Sequence, residues 1–476
     1  MFAGFRSLVR KATSLFGSDE SQQLPLEIPR DDHSFSRKNI SPNALKVLYR
    51  LHEAGFDAYL VGGCIRDHLI GIEPKDFDVV TNATPEEAHA LFSNSRLIGR
   101  RFKLVHVTYG REIIEVSTFR ANSAAQAEDT DKRQSLKGKD TARSSHGIIL
   151  RDNVYGSIEE DAERRDFTFN ALYYNIADFS INDYCGGLED IDKRQIRIIG
   201  DPRQRYQEDP VRMLRAVRFA AKLNFDIEAS TAAPIKEMAH LLDHIPPARL
   251  FEEVLKLLGS GYGVKTFQLL REYGLFKYLF PDTDALLNSG WQRKDITPDA
   301  FILQGLSNTD TRIQGGKSTA PYFLYAILMW PSVALRHEEF SKQGLPELPA
   351  LHQAATMVLD NQVASTAIPR RFSTPMREIW DLQFRLPKRY GKRAFTLLHH
   401  PRFRAAFDFL LIREQSGTDL GGLGTWWTEF QEAPDNQQRD LVNQADGRKN
   451  EASKPKRRRP RRRKSNAKRP SDSQES

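Results

Sequence analysis

Apolar residues recur along this chain with two periods, and the change from one to the other falls near residue 200. Before it they lie in short runs bounded by turn residues. Leu60-Val61 runs into Gly62-Gly63, Val79-Val80 follows Asp76-Phe77-Asp78, and residues 103–109 and 112–119 are broken at Gly110-Arg111. Such runs predict strands, the last two a β-hairpin. Further strand-like runs fall at 172–175 and 195–199, with structure resuming over 157–170. Two helices stand among them. Ser41-Pro42 supplies an N-cap with proline at N1, and Ala44, Val47, Leu48, Leu51 and Ala54 follow at helical spacing to about Gly55. Thr84-Pro85-Glu86-Glu87 is a capping-box start for a helix to about Phe92. Beyond Asp209 the period is helical over 210–222, 231–242, 248–260, 264–273, 321–329, 375–385 and 394–409.

This pattern predicts an α+β protein: a mixed-sheet head with helices, then an all-helical neck and body. The expected divisions are a poorly ordered extension over 1–40, the head over 41–200, the neck over 201–275, the body over 276–445 and a disordered basic tail over 446–476. Residues 120–147 are polar without a convincing period and read as a flexible insertion. No internal repeat is visible.

Composition narrows the class. At 476 residues the chain has room for two or three domains. No apolar run approaches a membrane span, and no secretory apolar segment follows the start. Residues 1–16 set Phe2, Phe5, Leu8 and Val9 among Arg6, Arg10 and Lys11, a weakly amphipathic extension with peripheral membrane contact as the sharper alternative. Only Cys64 and Cys185 are present, which excludes a disulfide framework and fits a reducing cytoplasm. The net charge of +8 is unevenly spread. Residues 448–476 hold thirteen Lys/Arg against three acids, a charge of +10, and the other 447 residues sum to −2. Within that tail Arg457, Arg458, Arg459, Arg461, Arg462, Arg463 and Lys464 are too dense in like charge to fold alone. They suit sequence-blind RNA binding, with a solubilising extension as the plainer alternative. Neutralising about six phosphates of a single strand makes log K fall by roughly four units per decade of salt. Lys388, Arg389, Lys392 and Arg393 extend the basic path into the body, or end a solvated helix.

The candidate chemistry sits in the head. On a strand, residues i and i+2 share a face, so Asp76 and Asp78 point one way and Phe77 the other. Beside them Gly62-Gly63 forms a turn whose amides can approach a triphosphate. Paired carboxylates hold divalent cations about 3.5–4 Å apart in nucleotidyl transfer, and Mg²⁺ suits them because it shares carboxylate and phosphate oxygens with water. Two residues compete for a third carboxylate: Glu115 on the hairpin, and Asp166 in Arg164-Arg165-Asp166-Phe167-Thr168-Phe169-Asn170. Arg164 and Arg165 suit phosphate oxygens and Asn170 a ribose hydroxyl. Asp209 caps a helix with Pro210 at N1, and Arg212 and Arg215 lie three apart on it. That face is either solvated or offers an acceptor and a donor to a base edge.

Taken in order, L-V-G-G-x-x-R-D, D-F-D, R-R-D-F-T-x-N-A and E-D-P-V-R-M-L-R-A-x-R-F resemble the class II polynucleotide nucleotidyltransferases, the superfamily of bacterial poly(A) polymerases and CCA-adding enzymes. The likeness runs from Ser41 through Ile245-Pro246-Pro247-Ala248-Arg249-Leu250-Phe251 and Pro401-Arg402-Phe403-Arg404 to the arginine-rich tail, and is nearest the poly(A) polymerases. The resemblance implies that Asp76 and Asp78 bind the metals and that Asp166 is the third catalytic aspartate. It implies nucleotide contacts from Gly62, Gly63, Arg66, Arg165 and Asn170, and base selection by Asp209, Arg212 and Arg215. The implied activity is template-independent addition of AMP from ATP to RNA 3′ ends with Mg²⁺, by a monomer that marks RNAs for the degradation machinery. The rivals are a CCA-adding enzyme, against which the basic tail and the absence of any His-Asp dipeptide weigh, and a non-catalytic RNA-binding protein. Cys64 stands where the family has Gly or Ala, leaving thiol sensitivity as an expectation if the side chain faces the site.

Overall fold

The structure is a computed structural model and describes residues 24–99, 103–121, 141–143, 149–152, 154–291 and 297–452. Residues 1–16, most of the expected 120–147 insertion and the tail cluster Arg457–Lys464 lie outside the described residues.

In the head, β1 (Leu26–Ile28) precedes α1 (Pro42–Glu53), β2 (Ala58–Val61), α2 (Gly63–Leu69), β3 (Asp78–Thr81), α3 (Pro85–Leu91), β4 (Ser95–Ile98), β5 (Leu104–Tyr109) and β6 (Glu112–Thr118). The poorly ordered extension expected over 1–40 is corrected for residues 24–40, which add β1 to the head's sheet and bury Phe35. A small antiparallel pair follows, β7 (Thr141–Arg143) with β8 (Ile149–Asp152). Then come α4 (Ile158–Glu163), β9 (Leu172–Asn175), β10 (Ile181–Asp183) and α5 (Gly187–Asp192). Eight strands form one sheet in the order β1-β10-β9-β2-β3-β6-β5-β4. Within this sheet only β3 and β6 pair in parallel. That pair sets Asp78 opposite Glu115. Outside the sheet, residues 195–196 and 226–227 form a second, two-stranded parallel pair. Local signals behave as their chemistry dictates. Ser41 Oγ accepts from the Ala44 N–H at 3.1 Å. Thr84 and Glu87 close a reciprocal box, with the Thr84 N–H donating to Glu87 Oε2 at 2.8 Å. Gly110 turns the β5–β6 hairpin with φ +63°.

The neck holds α6 (Pro202–Glu208), α7 (Val211–Leu223), α8 (Pro247–Leu258) and α9 (Gly263–Glu272). The helix expected over 231–242 is instead two single turns and a 3-10 segment, Ala229–Ala232, Ile235–Met238 and Ala239–His244. Pro234 lacks the N–H that would continue the ladder. The body continues through α10 (Phe276–Leu279), α11 (Pro281–Asn288), α12 (Pro298–Gln314), α13 (Pro321–Lys342), α14 (Glu347–Gln362), α15 (Arg370–Arg385), α16 (Lys392–Leu398), α17 (Phe403–Gln415), α18 (Leu423–Glu432) and α19 (Asp435–Ala452). The expected 394–409 helix is interrupted where Pro401 stands. Helix α13 runs past its expected end at 329 and takes Pro331 inside. Burial of Leu324 through Ala334 holds it.

Buried apolar side chains run without a break from Phe35 in the head to Ile412 in the body, and a second cluster gathers around Trp427. The seam between head and neck is aromatic. Phe167 and Phe169 stack at 5.7 Å, and Phe219 of α7 meets both edge-on at 5.6 and 5.3 Å. Removing the Phe219 ring leaves a cavity at this seam, and Phe→Ala changes in cores cost about 3–5 kcal/mol. Phe219→Ala is therefore expected to lower the urea midpoint of unfolding by that equivalent; a wild-type midpoint would show that the seam does not depend on it.

Candidate active site

The turn after β2 depends on Gly62. Its φ of +74° and ψ of −116° belong to glycine, and a Cβ built there would stand 3.1 Å from the Asn170 carbonyl oxygen. The Gly62 N–H donates to Leu172 O at 3.0 Å, fixing the turn against β9. The next residues open α2, so Gly63, Cys64 and Arg66 are placed together. Cys64 points inward. Its residue is 3% exposed, and burial, with Asp78 nearby, pushes the thiol up to about 12.

The paired aspartates keep the alternation expected of a strand, although the ladder of β3 begins only at Asp78. Asp76 and Asp78 are exposed while Phe77 between them is buried. Across the parallel pair Glu115 is Asp78's register neighbour, and across the β5–β6 hairpin His106 is Glu115's. The His106 Nε2 lies 3.2 Å from Glu115 Oε1. Although Asp78 reaches solvent, the protein around its carboxyl desolvates it, and that, then the Glu115 and Asp76 charges, push it up to about 6 against the pull of Arg165. Three carboxylates thus crowd one face. Among the described residues no group of three or more His, Cys, Asp or Glu side chains is arranged to hold a metal by itself. An ion here needs oxygens from a bound phosphate and water, as Mg²⁺ prefers.

The expected phosphate ligands are gathered by charged hydrogen bonds. Arg165 donates from Nε to the Tyr173 hydroxyl at 2.8 Å and from Nη2 to Asp161 Oδ2 at 2.9 Å. Tyr173 in turn donates to Asp161 at 2.9 Å. Arg66 is 4% exposed and donates from Nη1 to Asn170 Oδ1 at 2.6 Å and from Nε to Asp67 at 2.8 Å. Asn170 donates onward to Asp166 Oδ1 at 3.0 Å, which also accepts the Phe167 N–H at 2.8 Å. Asp166 Oδ2 accepts from Arg215 Nε at 2.7 Å. Burial alone would raise the Asp166 carboxyl, but Arg215 and Asn170 hold it well below the usual carboxylate range.

On the neck, Asp209 is extended and its Oδ1 accepts the Val211 N–H at 3.3 Å, while its Oδ2 accepts from Arg249 at 2.8 Å. Arg212 donates from Nη1 to Arg205 O at 2.8 Å and to Glu208 Oε2 at 3.2 Å. Arg205 ties this helix to the head through the carbonyls of Arg164 and Arg165 at 2.6 and 2.5 Å.

Several supporting residues escape sequence reasoning. Asp161 and Tyr173 hold Arg165, and Glu208 and Arg249 hold the Asp209–Arg212 pair. Arg218 continues the three-residue spacing of Arg212 and Arg215, the signal that points to it. Arg66, Arg215 and Arg218 all lie over the Phe219 ring, at 5.1, 5.7 and 5.1 Å. Burial, then Arg215, lower the Arg218 guanidinium below its usual range. Such a cluster of cations suits an anion.

Comparison with known proteins follows the same division. Residues 58–197 match the family "Poly A polymerase head domain", 224–287 "Probable RNA and SrmB- binding site of polymerase A" and 343–464 "Polymerase A arginine-rich C-terminus". The chain is 48% identical over 472 residues to poly(A) polymerase I of Salmonella typhi, spanning 97% of this chain and 99% of that protein. A CCA-adding enzyme of Lactobacillus helveticus is 38% identical over 226 residues, 48% of this chain and 52% of that protein. Among solved structures, a Thermotoga maritima CCA-adding enzyme complexed with tRNA has a similar fold, with a TM-score of 0.53 at 19% identity, covering 83% of this chain and 84% of that one.

The buried thiol corrects the expectation of thiol sensitivity. A thiol raised to about 12 is almost wholly protonated at pH 8, and the thiolate is the nucleophile. Iodoacetamide at pH 8 is expected to leave Cys64 unlabelled in the folded protein and to label it in urea, read by peptide mass spectrometry. Rapid labelling in the folded state would contradict this burial.

Proposed function

The chain belongs to the bacterial poly(A) polymerase I family, and on that premise we propose that it adds AMP from ATP to RNA 3′ ends without a template, releasing pyrophosphate. The observation that carries the reading is the crowding of Asp76, Asp78 and Glu115 on one sheet face beside the Gly62 turn. Carboxylates set this close call for a cation, and Asp78 among them is raised by burial, then by Glu115 and Asp76. Asp76 and Asp78 would hold Mg²⁺, which, when bound, would offset the charge of the triphosphate and ease loss of the proton from the attacking 3′ hydroxyl.

The chain's own residues do the rest. The backbone at Gly62-Gly63 allows close approach of the phosphates. Arg66 and Arg165 balance phosphate charge, and Arg215 and Arg218 extend that field from the neck. Asn170 would meet the ribose while holding Arg66 in place. The family resemblance makes Asp166 the third catalytic aspartate. With both its oxygens engaged by Asn170, the Phe167 N–H and Arg215, we assign it to orienting those groups and give Glu115 the place beside the ion.

Base choice falls to Asp209 and Arg212. An acceptor and a donor in fixed order match the amino group and ring nitrogen of adenine, and equally those of cytosine, while opposing guanine and uracil. Preference for ATP therefore rests on the rest of the protein. The near-full-length likeness to poly(A) polymerase I, against half-length likeness to CCA-adding enzymes, supports poly(A) addition. The head would do the chemistry, the neck read the base, and the body with its basic tail hold RNA. In bacteria such tails would direct RNAs to decay. No helix among the described residues is long and apolar enough to cross a membrane.

Each of the four labelled nucleoside triphosphates should be offered on an unstructured RNA primer with Mg²⁺. Predominant ATP use with long products is expected; CTP use, or no incorporation, would overturn the reading. Asp76→Ala and Asp78→Ala should each abolish incorporation with RNA binding retained, and near-normal activity in either would refute the site.

The raised Asp78 carboxyl sets a pH dependence. Below about 6 it is protonated and offers the ion one charge less. Mn²⁺ affinity, titrated from pH 8 to 5, should weaken as pH falls through that value. In Glu115→Gln one cause of the shift is gone, so the break should move to lower pH; a break in the same place would separate Glu115 from Asp78.

A further inference from the structure

The body carries a second cluster of cations well away from the sheet. Helix α15 ends at Arg385, a turn through Gly391 (φ +57°) follows, and α16 begins at Lys392. Arg385, Lys388, Lys392, Arg393 and Thr396 line a cavity of about 340 Å³ at this corner. α15 packs on α13, α14 and α17, not on the head's sheet.

The local carboxylates do not balance it. Asp381 stands 3.5 Å from Arg385 and shares itself with His352 at 3.4 Å, while Glu347 reaches Lys388 only at 4.0 Å. Among the described residues no carboxylate comes within ion-pair distance of Lys392 or Arg393. Exposed pairs of this kind contribute little to stability, so four cations face one hollow with two weak ion pairs between them, and among the described residues the Arg393 side chain has only the Tyr390 hydroxyl as a hydrogen-bond acceptor. Aromatic rings border them. Arg393 lies 4.7 Å over Tyr390, and the neighbouring Arg389 lies 5.3 Å over Trp426, a half-buried ring backed by the buried Phe430. Cations interleaved with aromatic faces are the surface that single-stranded nucleic acid uses, phosphates on the former and bases on the latter.

We propose that the α15–α16 corner is a sequence-blind binding site for the RNA sugar–phosphate backbone, engaging the strand upstream of the 3′ end held in the head. It rests on the reading of RNA as substrate. Lys392 and Arg393 would each meet a phosphate, with Arg385 and Lys388 deepening the field. The site is preformed: Arg385, Lys392 and Arg393 stand on helices and Lys388 in the connection between them, around one hollow, which lowers the ordering cost of binding.

Binding of a fluorescein-labelled 25-nucleotide RNA to the full chain, measured by anisotropy across salt concentrations, tests this. Each phosphate contact on a single strand contributes about 0.7 to the slope of log K against log salt. The double variant Lys392→Gln/Arg393→Gln should therefore lose about 1.4 from that slope, and Arg385→Gln/Lys388→Gln should also reduce it. Lys342→Gln, an exposed lysine on α13 outside the cavity, serves as the charge control. An unchanged slope in both double variants overturns the proposal, as does an equal loss per charge in the control. A double variant that loses an acidic protein partner while keeping its RNA slope overturns it too. AMP incorporation in the same samples keeps the two readings apart. If no primer is extended by the unaltered chain the activity fails, while the slopes still report on the corner.

Discussion

One chain of charged hydrogen bonds joins the parts of this protein that must act together. It runs from Asp67 through Arg66, Asn170 and Asp166 to Arg215. Its members come from the helix after the glycine turn, from the loop before β9 and from the first long helix of the neck. Each is buried or half-buried, and an unpaired charge in such a place is far more costly than a paired one. The network is therefore close to all-or-none: removing one partner strands the next. It also explains why the Phe219 seam is polar on one flank. The ring supplies apolar area to the head and a face for three guanidiniums, so packing and charge placement are one arrangement.

Against this balanced network stands the deliberately unbalanced row on the sheet. Asp78 is destabilised as an anion by burial, then by Glu115 and Asp76, against the pull of Arg165, and among the described residues no arginine is hydrogen-bonded to it as Arg215 is to Asp166. The two aspartates thus differ in kind. One is satisfied by the protein, the other is kept in want of a cation. Sites that store such tension are where function is expected to concentrate.

How much of this was visible beforehand depends on the range of the interaction. Signals within a few residues read cleanly: the Ser41 and Thr84 caps, the Gly110 hairpin, the alternation of Asp76, Phe77 and Asp78. The cap expected of Asp209 is displaced by one residue: Pro210 takes the N-cap of α7, and Asp209, closing α6, accepts the Val211 N–H from outside. Helix lengths read less well, because burial carried α13 through Pro331 while Pro234 and Pro401 ended runs whose period continued across them. Partners distant in sequence were not legible at all. The parallel β3–β6 register that sets Glu115 opposite Asp78 is one such pairing. Asp161, Tyr173 and Arg249 give no sign in sequence of the arginines and aspartate they hold.

The clamp on Asp209 and Arg212 has a consequence for the product. Arg249 grips one and Glu208 with Arg205 O the other, so neither side chain is free to reorient between rounds. A reader fixed from behind carries no record of what was added last. On the proposed activity it presents the same edge every cycle and has no means of counting. Nothing in this clamp makes the last nucleotide added differ from the first, so the strand can grow until it lets go.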